Sequence, residues 1–218
     1  MLKIPEMTMF ERAFDYPYSA PDGAFLLQGG FVRDLPLDYD FDNRTAVLSV
    51  GSNRSPAQLY RKFGGEAEIA VTAVRVHDCD IVHVANLAPY AAVPCSAFPS
   101  KGTSVQLNIA WLDRAQLDVM HATESLGVAY DWVEWDMSVI EPLGFSAPKT
   151  LYGYAAIAGA FNLSGQGPLG LCQIPAENRV FAEKSQADMQ GLVFDHFCMD
   201  DLSLAGWVER LQTDSELR

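Results

Sequence analysis

The sequence predicts a single α+β domain. Strand-like patterns of period two follow one another along the chain, and short helix patterns are inserted among them rather than alternating strictly with them. A chain of 218 residues buries a sizeable core, and one elaborated domain suits that length better than two. Its 49% hydrophobic content and near-zero mean hydropathy suit ordinary water-facing packing, and no apolar stretch is long enough to span a bilayer.

Residues 1–44 are rich in Asp, Pro, Gly and aromatic residues, with PDG at 21–23 and DLPLDYDFDN at 34–43. They read as an irregular N-terminal extension packed on the domain. From Thr45, TAVLSV is β-branched and apolar, as a buried strand should be. Beyond Gly51-Ser52-Asn53 come Ser55 and Pro56, the order of an N-cap and a first helical position. The helix AQLYRKF then stops at Gly64-Gly65. EIAVTAVRV and CDIVHVA read as strands, followed by AAVPCSAF, a turn at PSKG and a further strand, SVQLNIAWL.

Asp113 and Gln116 form a capping-box pair ahead of a helix through AQLDVMHATES. YDWVEWDMSVI alternates, with Val133, Trp135, Met137 and Val139 on one face, and TLYGYAAI is the last strand. After the loop GQGPLG, Ser185 and Asp188 cap a helix to about Phe197. Asp200 or Asp201 caps a final one in LSLAGWVERLQ. The body is thus expected over 45–160, with 161–218 as a helical C-terminal extension of the same domain.

The net charge of −13 argues against nucleic acid or an anionic membrane as partner, since both require a basic footprint. The first twenty residues carry acids and lack an apolar h-region, so they do not read as a secretory signal. Cys79, Cys95, Cys172 and Cys198 are widely spaced with no CxxC pair. Free thiols in the cytoplasm are expected, two disulfides being the alternative.

Two features carry possible chemistry. On the helix from Arg114, residues Leu117, Met120, His121 and Glu124 share one stripe, which sets a carboxylate beside side chains that turn inward. A buried acid needs a partner or an altered affinity for its proton, as general acid–base residues do; a solvated helix-end Glu is the alternative. His121 either tunes that acid or packs against it. The second feature is Gly51-Ser52-Asn53. Small residues between a strand and a helix N-terminus leave backbone N–H groups pointing forward, a ready cradle for a carboxylate or phosphate. A plain strand-to-helix turn has the same sequence, and the Lys-Ser/Thr of a P-loop is missing.

Taken together, VGSNRSPAQL at 50–59 and the segment AAVPCSAFPSKGTSVQLNIAWLDRAQLDVMHATES, followed by YDWVEWDM, resemble the γ-glutamylcyclotransferase-like family. The resemblance covers about 45–140. It implies a small mixed βαβ barrel with one cavity. It also implies that Gly51, Ser52 and Asn53, flanked by Val50, Arg54 and Ser55, bind the charged end of a γ-glutamyl group, with Glu124 as general base. The expected partner is a small γ-glutamyl amine or peptide, cyclised to 5-oxoproline without metal or cofactor. Val50 departs from the family's usual tyrosine, which bears on substrate identity more than on reaction type.

Rival readings are a non-catalytic small-molecule-binding module on the same barrel and a metal-dependent hydrolase. The hydrolase would use His77, Asp78, Cys79, Asp80 and His83, but three ligands from one straight strand span too far for a single zinc ion. Cys95 is expected to be a buried thiol rather than a nucleophile, and Tyr130, Tyr152 and Tyr154 are candidates to line the cavity.

Overall fold

The computed structural model describes residues 2–3, 6–165, 167–197 and 201–217. Strand β1 (Leu2–Lys3) and helix α1 (Met9–Phe14) precede the hairpin β2 (Phe25–Gln28) and β3 (Phe31–Arg33). Strand β4 (Thr45–Ser49) leads through a 3-10 turn, Gly51–Arg54, into α2 (Pro56–Phe63). Two long strands follow, β5 (Glu68–His83) and β6 (Cys95–Leu112), then α3 (Arg114–Thr123). Next come β7 (Tyr130–Glu134), β8 (Ile140–Leu143) and β9 (Tyr152–Ala156). The short strands β10 (Gly170–Leu171), β11 (Ala176–Glu177) and β12 (Glu183–Lys184) precede α4 (Gln186–Phe197) and α5 (Leu204–Thr213).

The fold is mixed α+β, as the sequence predicts. One large sheet runs in the order β1-β3-β2-β5-β6-β4-β9-β7. Only the β4–β9 ladder along this path is parallel. Among the described residues no ladder joins β7 back to β1, so the sheet is open. Both faces are covered. Leu26, Leu48, Ala70 and Ile109 belong to one core, while their alternating neighbours Leu27, Val47, Ile69 and Ala110 belong to another with Leu59 of α2 and Met120 of α3. This two-sided burial explains why the strands read as almost continuous apolar runs.

The structure corrects several expectations. Residues 1–44 are not irregular throughout: β2 pairs with β5, and Gly29 and Gly30, both at positive φ, make the two-residue hairpin turn. PSKG does not reverse the chain. It bulges out within β6, where His77 faces Ser104 but Cys79 faces Pro99, and the Gly102 N–H donates to Asp78 Oδ1 at 2.7 Å. YDWVEWDMSVI is not one strand, because Asp136 Oδ1 accepts the Ser138 N–H at 2.9 Å and caps a short turn. That turn sends Ile140–Leu143 to pair with β5 instead. Ser185 and Asp188 do cap α4, but Ser203 rather than Asp201 caps α5; Asp200 lies outside the described residues, as does Cys198.

A third core joins the chain's two extensions. Ala13 of α1, Met189 and Val193 of α4, and Trp207, Val208 and Leu211 of α5 pack around Ala91, Val93, Phe161 and Leu169. The Gln186 and Gln190 side-chain amides both donate to the Ala13 carbonyl, at 3.2 and 2.9 Å.

Candidate active site

The turn after β4 is built around Gly51. Its φ of +60° suits glycine, and a Cβ there would overlap the Tyr16 hydroxyl and lie 2.8 Å from Cys95 Sγ. The chain therefore winds one 3-10 turn and passes through extended Ser55 into α2, with the Ser55 N–H donating to the Ser52 carbonyl at 2.9 Å. Ser55 holds the N-cap position as expected, but its buried hydroxyl makes no cap bond.

Glu124 is the C-cap of α3, where the Asp113–Gln116 capping box fixes the helix start and Leu117 and Met120 bury the expected stripe. Its side chain is only 15% exposed. Asn53 Nδ2 donates to Glu124 Oε1 at 3.1 Å, so the Gly-Ser-Asn turn and the end of α3 meet directly. Lys62, near the end of α2, forms an ion pair with the same Oε1 and approaches Met120 Sδ at 3.3 Å. The Lys62 side chain is 5% exposed; burial lowers its proton affinity, and the Glu124 charge opposes that effect.

A cavity of about 150 Å³ opens at this junction. Val50, Ser52, Asn53 and Glu124 line it; Gly51, Arg54 and Ser55 do not. Arg54 turns away and donates from Nε to Asn108 Oδ1 at 3.0 Å. Tyr16, Gln58, Tyr90, Cys95, Tyr130 and Tyr154 complete much of the wall. Burial raises the Tyr16, Tyr90, Tyr130 and Tyr154 hydroxyls above the usual phenol range and pushes the Cys95 thiol up to about 12. Cys95 thus presents a neutral thiol, with its backbone N–H donating to the Tyr16 hydroxyl at 3.1 Å.

Of the other candidates, Tyr152 stacks on Trp132 at 5.0 Å between ring centroids and does not line the cavity. His121 packs edge-on against Trp132 and hydrogen-bonds the Tyr154 hydroxyl at 2.8 Å. The His77–His83 group disperses: His77 meets Glu141, Asp80 meets Arg179, and His83 meets the Lys184 carbonyl. Among the described residues no three His, Cys, Asp or Glu side chains converge on a metal-sized site.

Sequence reasoning missed Lys62, Gln58, Tyr16 and Tyr90. Gln58 and Lys62 are four apart on α2 and therefore share a face, which is the one signal the sequence held for them. Tyr16 and Tyr90 come from segments distant in sequence from both motifs.

No family model matches the chain, and no curated protein matches it. Two solution structures of Arabidopsis thaliana proteins are similar to it. One is 17% identical, covers 72% of this chain and 88% of that one, and has a TM-score of 0.42. The other is 14% identical over 75% and 81% of the two chains, with a TM-score of 0.40.

Proposed function

We propose that the protein is a γ-glutamylcyclotransferase-like enzyme that converts a γ-glutamyl amine or peptide to 5-oxoproline and a free amine, with Glu124 as general acid and base. The observation that carries the reading is the Asn53–Glu124 hydrogen bond at the wall of one cavity. It joins the two motifs on which the family resemblance rests. The reading brings with it the small mixed βαβ barrel of that family as the body of the domain, and a cytoplasmic setting.

The chemistry needs few parts. The substrate's α-ammonium gives a proton to Glu124, and the freed lone pair attacks the γ-carbonyl carbon of the same molecule. The amide C–N bond breaks as Glu124 passes that proton to the leaving nitrogen. The ring nitrogen then loses a second proton to Glu124, which hands it to the departing amine, so the carboxylate ends as it began. Closing a five-membered ring within one bound molecule makes proximity the main source of rate, and one carboxylate serves every proton transfer. Both Asn53 and Lys62 bind Oε1, which leaves Oε2 for the substrate.

The same ion pair favours a second reading, a binding module on the same scaffold, because Lys62 satisfies Glu124 without any ligand. Release of 5-oxoproline from a panel of γ-glutamyl amides separates the two. Wild type should turn over at least one of them, and Glu124→Gln should lose roughly 10²–10⁴-fold in kcat while still binding it. Equal turnover by both proteins would remove Glu124 from the chemistry. Binding without turnover in wild type would establish the module instead.

A further inference from the structure

Three elements converge on one oxygen of Glu124. Asn53 reaches Oε1 from the Gly-Ser-Asn turn and Lys62 reaches it from the last turn of α2, while Glu124 itself closes α3 as its C-cap. Helix ends fray, so a side chain at a C-cap is best held from outside its own helix. Glu124 lines the cavity and Lys62 does not, so the ammonium meets the carboxylate from behind. Oε2 accepts no hydrogen bond from the described residues, and it is not among the buried polar atoms left without a partner. It is therefore the open oxygen of a carboxylate whose other oxygen is held twice.

Stability alone is a poor reason for this arrangement. The Lys62 side chain is 5% exposed, and removing an ammonium from water is unfavourable even when a carboxylate meets it. Apolar side chains of similar volume often join two helices as well or better. A buried ion pair that ends on the wall of a cavity points instead to use. Among the described residues no second cation pairs with Glu124. We propose that Lys62 is a positioning residue: with Asn53 it holds Oε1, fixes the plane of the Glu124 carboxylate and presents Oε2 to the ligand. This role rests on the reading of Glu124 as acid and base given above. Every proton transfer then runs through one oxygen held at a set place in the wall, while Lys62 touches neither the ligand nor the reacting atoms.

Steady-state release of 5-oxoproline from γ-glutamyl alkylamides tests this in Lys62→Gln, Lys62→Met and Glu124→Gln, singly and combined. Lys62→Gln removes the charge and shortens the reach but keeps an N–H donor for the buried carboxylate. Lys62→Met fills the same space with no donor. Each should lose roughly 10–10²-fold in kcat, the scale on which a misplaced catalytic group acts, with KM kept within about threefold. Added to Glu124→Gln, either change should lower the residual kcat by less than about twofold, because the group that Lys62 positions is already gone. Wild-type kcat in a folded Lys62→Gln or Lys62→Met overturns the proposal. So do losses that multiply with that of Glu124→Gln, which put the effect of Lys62 elsewhere. Loss of the cooperative thermal melt in both single variants also overturns it and marks the pair as structural. A wild type that releases 5-oxoproline from none of the amides sinks the enzyme reading, and the positioning role with it. Release that is indifferent to Lys62 sinks the role and keeps the reading.

Discussion

Gly51 meets two separate demands, a left-handed backbone and the close approach of Tyr16 and Cys95. Gly29 meets only the first, since its φ is +59° and a Cβ there would find open space. Chemical denaturation can therefore price the second demand alone. Gly29→Ala should lose about 1–2 kcal/mol from backbone strain, whereas Gly51→Ala should lose about 2–5 kcal/mol once overpacking of roughly 1–3 kcal/mol is added. Equal losses would mean that the contact with Tyr16 and Cys95 yields freely. The residues themselves were unevenly legible. Glu124 stood out because helix periodicity fixes its neighbours at Leu117 and Met120. Lys62 did not, because the residue that answers it lies far along the chain and a lysine in the last turn of α2 reads as an ordinary partner of the helix dipole.

Among the elements, two helix starts were readable because capping is local chemistry. Asp113 with Gln116 and Ser185 with Asp188 both close as their spacing implies. Strand extents were less readable, because a bulge and a turn share the same residues: PSKG, a reversal by composition, is absorbed within β6 once Asp78 accepts from Gly102. The missed β2–β3 hairpin is a different failure. Its Gly29-Gly30 turn was a usable signal, hidden among aromatic and acidic residues that read as irregular. The far end of β5 also carries a pH dependence. His83 is fully buried, burial lowers its proton affinity, and it hydrogen-bonds the Lys184 carbonyl at 3.0 Å. The unfolded chain therefore takes up a proton before the folded one does. The stability that neutral His83 supplies is full above the ordinary histidine value of about 6.5, and it is lost as pH falls through that value towards the lowered folded one. His83→Gln offers an amide N–H to Lys184 and no titration in this range. Thermal melts from pH 7.5 to pH 5 should show wild type losing more stability than the variant. Parallel losses would acquit His83.

At the scale of the molecule, the expected division into a central body and two extensions describes the sequence better than the packing. Tyr16 comes from the first extension and walls the cavity, and β2 from the same segment completes the sheet beside β5. The third core binds the second extension to α1 and to Ala91 and Val93. Those two residues lie between Tyr90 and Pro94, both of which line the cavity. Such contacts span the whole chain and leave no local periodicity to read. Their strength is open to measurement at Trp207, buried in that core: Trp207→Ala should destabilise by about 3–5 kcal/mol. The loop that bears Tyr90 and Pro94 has one side in this core and the other in the candidate active site. Its amides should consequently exchange with solvent in step with those of α4 and α5, as a single cooperative unit. In the Trp207→Ala protein that exchange should quicken across loop and helices together while β5 and β6 keep their protection. The opening rhythm of the cavity would then be set by helices that never touch what it holds.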